Sequence, residues 1–249
     1  MLPKEFKPKA SYQLIRLGKN NDGGYLVESK SIEQTAALIS MGIGKNWMFE
    51  EDFIAHKDIV VNAYDHSVRG FFWPKFFIKR FLSILIGRFK APYNAVKIYK
   101  KFMRFFRGKA VLFYEKIGAE EKDYTNVKKT LERIKEKPIF FKIDIEGYEY
   151  QILDEIILNS ELLSGMVIEF HNIYDHIDEI RTFINNFELT LVHVHPNNNR
   201  IDDQGNPRAI EMSFARNPEK LSESSVLPHP LDQLNVPRKE AVSLRFINS

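Results

Sequence analysis

The chain predicts an α/β fold around a mostly parallel sheet, and three observations carry that prediction. Apolar, strand-like runs alternate with helix-like segments of about 10–15 residues, the signature of βαβ units. Two runs, FFKIDI and GMVIEF, are almost continuously apolar, as strands buried on both faces must be. The last two strand-like segments are joined by NNNRIDDQGNP, which leaves no room for a helix, so they should pair antiparallel.

Taken in order, Asn20-Asn21-Asp22-Gly23-Gly24 reads as a turn before the short strand YLV. SIEQTAAL reads as a short helix with Ser31 as its N-cap. ALISMGIG runs from strand into a glycine turn, NWMFEEDFIAH is a helix, and DIVVNAYDHS is a strand. KAVLFYEKIG resumes the strands, followed by the helix NVKKTLERIKEK with its charges outward. FFKIDIEG is a strand, YEYQILDEIIL a helix, SGMVIEFHN a strand and IDEIRTFINNF a helix. LTLVHVHPNN and AIEMSFAR close the series as strands. Residues 217–240, with four prolines, form an extended surface arm, and VSLRF is a candidate for one more strand.

The 249 residues suffice for one sizeable core, so a single domain over 1–249 is expected, bearing an insertion at 70–109 and a terminal arm at 217–249. There is no cysteine, which excludes disulfides, thiolate metal sites and a Cys nucleophile, and suits a reducing, cytoplasmic setting. MLPKEFKPKASYQLIRLG has no apolar signal region, and no apolar run is long enough to span a membrane.

The net charge of +3 hides an asymmetry. Between Ser67 and Tyr114 there is no Asp or Glu, yet 12 of the 36 Lys and Arg lie there; the remainder of the chain carries about −9. Nine of the 20 Phe also fall within 70–109. Pro74 suits the first turn of a helix, with Lys75, Lys79 and Ser83 as a narrow polar stripe. After APYN a second helix would gather Lys97, Lys100, Lys101, Arg104 and Arg107 on one face. Two basic, Phe-rich amphipathic helices fit a peripheral membrane contact, at the inner face for a cytoplasmic protein; a lid over a substrate pocket or a homodimer interface fits them equally. Nucleic acid is not expected as a partner, because wholesale aromatic exposure favours lipid or protein.

In an open α/β sheet, ligands bind beyond the carboxyl ends of the strands, near a switch point. The strand ends here are decorated accordingly. FFKIDIEG ends in Asp144 and Glu146, two residues apart, which share a face if the strand persists that far; Gly147 then permits a sharp turn. The plainer reading is that one of these acids caps the next helix. In SMGIGKN, Gly42 and Gly44 permit close approach of a ligand to the backbone, and Asp65 lies 21 residues beyond Gly44, where nucleotide-binding sheets hold an acid against ribose; a turn and a surface Asp are the alternative. IEFHN presents Glu169 and His171, and HVHPNN presents His193, His195, Asn197 and Asn198. His171 is the general-base candidate, since a neutral imidazole suits proton transfer near pH 7; a structural histidine is the alternative. No residue is assigned as a metal ligand, although Asp144 with Glu169 or His171 could hold a divalent cation such as Mg²⁺.

In that order the segments resemble the FkbM-type family of S-adenosylmethionine-dependent methyltransferases. The strongest likeness is KIDIEGYEYQIL, with Lys142, Asp144, Glu146, Gly147 and Glu149 on the family's lysine-x-acid-x-Glu-Gly-x-Glu pattern. RLGKNNDGGYLV, SMGIGKNWMFEEDF, YDHS, VIEFHN, HVHPNN and LDQLNVPRKEAVSLRF are similar to further segments of one branch, so the likeness spans roughly residues 14–66 and 111–247. It is weakest across 70–109.

The resemblance implies a Rossmann-like class I methyltransferase fold, with a seven-stranded sheet whose last strand is antiparallel. By analogy Gly42 and Gly44 would approach the methionine part of the cofactor, Asp65 its ribose, and Gly118 and Ala119 its adenine. Asp144 and Glu146 would line the pocket and His171 would face the acceptor. Family members methylate hydroxyls, often on sugars, which implies a carbohydrate or glycoconjugate acceptor. SMGIGKN lacks a third closely spaced glycine, Lys45-Asn46-Trp47 standing in its place, so the cofactor's pose is less defined than in a fuller glycine loop. Three rival readings on the same sheet are a nucleotide-dependent oxidoreductase, a metal-dependent hydrolase using Asp144, Glu169 and the histidines, and a non-catalytic membrane-surface module.

Overall fold

The computed structural model describes residues 1–108, 110–118 and 124–247. An antiparallel hairpin, β1 (Leu14–Gly18) and β2 (Gly24–Glu28), precedes the main sheet. The sheet's strands are β3 (Ala37–Met41), β4 (Val60–Tyr64), β5 (Ala110–Phe113), β6 (Ile139–Ile143), β7 (Leu163–His171), β8 (Thr190–Pro196) and β9 (Ala209–Ala215). The helices are α1 (Ser29–Gln34), α2 (Met48–His56), α3 (Phe72–Leu82), α4 (Ala91–Phe105), α5 (Val127–Glu132), α6 (Leu153–Leu158) and α7 (Ile177–Asn186).

The seven strands lie in the order β8-β9-β7-β6-β3-β4-β5. All pairings are parallel except those of β9, which runs antiparallel to both β7 and β8. This is the doubly wound arrangement of the class I methyltransferase fold, with the antiparallel last strand that the short 197–208 connection demanded. The chain leaves β3 toward one edge through β4 and β5, then crosses back to β6 and proceeds to the other edge. The switch point therefore lies between the carboxyl ends of β3 and β6.

Apolar periodicity decides what each face buries. Phe49 and Phe53, one turn apart on α2, pack on Phe140 of β6, with Phe53 and Phe140 ring centroids 5.1 Å apart. Ile180 and Phe183 of α7 do the same on the opposite face, where Phe183 meets Phe214 of β9. Each such side chain contributes about 1.5–3 kcal/mol by leaving water.

Local chemistry corrects several expectations. The β1 strand was not foreseen. Ser31 is not the cap of α1: Glu28 occupies that position and its carboxylate accepts from the Ser31 amide at 2.7 Å. The expected helix 148–158 splits into a tight turn, Glu149–Gln151, and α6. In the insertion, α4 already begins at Ala91 and ends at Phe105, so Arg107 lies beyond it. The arm is anchored by strand pairs: Lys220–Ser222 pairs with Ser11–Tyr12, and Phe246–Ile247, inside VSLRFIN, pairs with Leu2–Pro3.

Candidate active site

Gly42 follows β3 at the switch point with φ +79°, a left-handed conformation that favours glycine. A Cβ there would collide with the Asp144 carbonyl oxygen, so the two strand ends approach this closely only because position 42 is glycine. Lys142, buried on β6, donates from Nζ to the Gly42 carbonyl and lies 3.8 Å from the Asp144 carboxylate. Asp65 braces the turn from the next strand end: one carboxylate oxygen accepts from the amides of Ile43 (3.0 Å) and Gly44 (2.6 Å), the other from Ser67 (2.7 Å). Gly44 is itself left-handed, with φ +52°.

Beside this turn opens a cavity of about 290 Å³, walled by Gly42, Asp65, Lys116, Asp144, Glu146 and Tyr148 among others. That volume lies near the lower bound for small-molecule clefts, about 300–1,000 Å³. Gly118 stands at its edge, its amide donating to Thr125 at 3.1 Å. Ala119 lies outside the described residues. Two residues without a motif of their own, Lys116 in the wall and Tyr25 behind Asp144, belong to the same region. Lys116 donates to the Tyr124 hydroxyl at 2.7 Å while its ammonium sits 3.5 Å from the Tyr148 ring centroid. Tyr25, from β2, donates to Asp144 Oδ2 at 3.2 Å. Neither had a signal in the sequence, since Tyr25 is 119 residues away from its partner.

The expected strand face shared by Asp144 and Glu146 does not exist, because β6 ends at Ile143 and Glu146 is left-handed with φ +57°. The turn nevertheless brings both acids to one point. His171, at the buried end of β7, holds Nε2 at 3.9 Å from Asp144, 3.8 Å from Glu146 and 3.6 Å from Glu169. Its Nδ1 donates to the fully buried Glu149 at 2.9 Å, and Glu149 also accepts from the Ile145 amide. Glu149 was legible only as part of a pattern. Arg200, from the loop after β8, caps the exposed Glu146.

The electrostatics change the role first assigned to His171. Burial alone would lower its pKa, but the hydrogen bond and charge of Glu149, with Glu169 and Asp144, raise it to about 9. The ring is therefore an imidazolium at neutral pH, not the neutral base expected. Glu169 is pushed well above the usual carboxylate range by burial, with Asp144 and Glu211 adding to it. Glu211 of β9 sits directly across the ladder from Glu169 and is likewise raised, by burial first.

HVHPNN divides between two tasks. Asn197 donates to Glu169 at 2.8 Å and so supports the site. His193, His195 and Asn198 instead hold the arm. Nε2 of His193 and Nδ1 of His195 lie 2.9 and 3.2 Å from Asp232, and Asn198 accepts from the Val236 amide at 2.8 Å. Burial would raise Asp232, but the two imidazoles outweigh it and hold this carboxyl below its ordinary range.

Asp144, Glu169 and His171 place one donor atom each within 4.8 Å of one another. The donor set fits a divalent cation: two carboxylates offer oxygen, Nε2 becomes a ligand nitrogen once its proton is displaced, and Glu149 on Nδ1 is the outer carboxylate that orients ligating histidines.

Comparison with known proteins adds the following. No curated protein matches the sequence. Similar solved folds include an rRNA methylase from Streptococcus thermophilus, at 10% identity over 75% of this chain and 92% of that one, with a TM-score of 0.39. An O-methyltransferase family protein from Burkholderia thailandensis matches at 6% identity over 75% of this chain and 52% of its own, with a TM-score of 0.39. TYW2 of M. jannaschii in complex with AdoMet matches at 9% identity over 74% and 70%, with a TM-score of 0.36. At such scores the likeness carries no argument. Residues 100–189, which hold Asp144, Glu149, Glu169 and His171, match the family model of the methyltransferase FkbM domain.

Proposed function

We propose that the chain transfers a methyl group from S-adenosylmethionine to a hydroxyl of a carbohydrate or glycoconjugate. The observation that carries this reading is the continuity between the cavity at the switch point and the cluster around His171, which share Asp144 and Glu146. The cofactor's amino-acid end belongs beside Gly42, and its ribose beside Asp65. Two of that carboxylate's lone pairs already serve the glycine turn, so Asp65 shapes the site as well as lining it. Tyr148 offers an aromatic face at the adenine end.

The sulfonium methyl is already activated, so the protein must align an acceptor oxygen with it and exclude water. An alcohol must also lose its proton. His171 Nε2 points into the acid cluster and is the group placed to take it, with Glu149 holding the ring's orientation. The base acts through the neutral fraction of the ring, which grows about tenfold per pH unit up to about 9. A cation held by Asp144, Glu169 and Nε2 would, when bound, take the Nε2 lone pair and supply acidification of the acceptor hydroxyl in place of the imidazole base.

Calorimetric titration of the purified chain with S-adenosylmethionine tests the cofactor, with and without added Mg²⁺. Saturable binding, followed by formation of S-adenosylhomocysteine with a member of a glycan acceptor panel, is the expected result. A folded protein that binds no S-adenosylmethionine under either condition overturns the proposal.

A further inference from the structure

We infer that the helical hairpin formed by α3 and α4 docks the protein on an anionic lipid bilayer. The hairpin has a defined base and an uncovered tip. At the base, Trp73 packs against Tyr99 and Phe102, with centroids 4.9 and 4.8 Å apart, and Phe102 packs on Trp47 of the body at 5.4 Å. These contacts fix the hairpin's direction. Beyond them the apolar residues face outward: Ile78, Phe81, Leu82, Leu85, Ile86 and Phe89 are all exposed, Leu85 to 83% and Phe81 to 68%. They all fall within residues 78–89, around the turn between the two helices, and clustering of this kind marks an interaction site.

Charge selects the occupant. Lys75, Lys79, Arg88, Lys90, Lys97 and Lys100 are exposed along the same hairpin, and no acidic residue occurs between Ser67 and Tyr114. Hydrophobic side chains at a tip with cations behind them match the depth profile of a leaflet, apolar at the acyl boundary and anionic at the headgroups. At the hairpin base a groove of about 300 Å³ is lined by Lys19, Lys45 and Arg80 beside Trp47, together with Lys101, which pairs with Glu51 of the same groove at 3.4 Å. A second copy is the poorer occupant, since it would bring cations against cations. The lid reading gains nothing from the cavity near Gly42, whose lining includes no residue of the hairpin. Among the described residues no helix is long and apolar enough to cross a membrane, so the contact is interfacial.

Co-sedimentation with vesicles tests this without reference to methyl transfer, so its failure is distinguishable from failure of the catalytic reading. The protein should pellet with vesicles containing phosphatidylserine and stay in solution with pure phosphatidylcholine, and added salt should weaken the binding. The variant Phe81→Asp/Leu85→Asp should lose at least about tenfold in partitioning. Both side chains lie largely in water, so its thermal melt should match the parent. Lys97→Gln/Lys100→Gln should lose about thirtyfold on anionic vesicles and nothing elsewhere. Equal partitioning of parent and tip variant, or no binding to the anionic vesicles, overturns the inference. So does a parent dimer that the tip variant dissolves in analytical ultracentrifugation, which would assign the tip to a second copy.

Discussion

The switch point and the helical hairpin invert the usual placement of residues in opposite senses. At the switch point, ionisable groups are buried: Glu149, Glu169, His171 and Lys142 all lie out of water. At the hairpin tip, apolar side chains stand in it. The two departures are stabilised differently. The buried groups are held by one another and by fixed backbone amides, so their geometry is rigid, and Glu169 and His171 both titrate above their ordinary range. The hairpin is held at its base, through Trp73, Phe102 and Trp47 among others, whereas Phe81, Leu85 and Phe89 at its tip are exposed. Rigid, paired polarity suits chemistry; unpaired apolar surface suits association.

The largest expected effect separates the two regions directly. His171→Ala should lower methyl transfer by about 10²–10⁴-fold, the range for losing a general base, while cofactor affinity by calorimetry changes little. If affinity collapses as well, His171 is structural and the contrast loses its chemical half. The pH profile sharpens the same point: transfer by the parent should climb until about pH 9 and then level. The same raised pKa has a stability counterpart with a definite sign. Because the folded value exceeds that of an ordinary histidine, about 6.5, this contribution is complete below that pH and lost as pH rises through about 9.

Next comes the hairpin base. Phe102→Ala should cost about 3–5 kcal/mol if the aromatic cluster is continuous with the core, read as a fall in melting temperature. A cost near zero would mean that the hairpin hinges freely, which would break the distinction between a fixed base and an open tip.

The smallest effect concerns the facing acids of β7 and β9. Glu211→Gln replaces a buried carboxyl facing Glu169, whose ionisation burial opposes, and keeps an acceptor for Asn235, so it should stabilise by about 0.2–1 kcal/mol. The folded pKa of Glu211 is raised, so its stability contribution is present below the ordinary carboxylate value and lost as pH rises above it. The gain from the variant should therefore be larger at pH 8 than at pH 4 in thermal melts.

The sheet was legible because period and length separate buried strands from amphipathic helices, and because the short connection to the last strand left one possible direction. The strand-end acids were legible too, although for an incomplete reason. Glu146 reaches His171 through a left-handed turn and not along a strand face, and no pattern of side chains announces the sign of one φ. The protonation of His171 was misread because it depends on Glu149 and Glu169, whose burial is a property of the assembled fold. Tyr25, Lys116 and Arg200 enter the site from distant segments. The histidines of β8 went the other way: Asp232, 39 residues on from His193, claims them for the arm.

The hairpin's position in the topology has an evolutionary consequence. It interrupts the crossover from β4 to β5, and β5 is the sheet's edge, so no ladder inside the sheet registers its length. The entropic cost of a longer connection grows only logarithmically with its length, which makes such a crossover tolerant of gain, loss or exchange. Where the protein resides and what it does at the switch point can therefore diverge independently, one by changes between residues 70 and 109, the other by changes at strand ends.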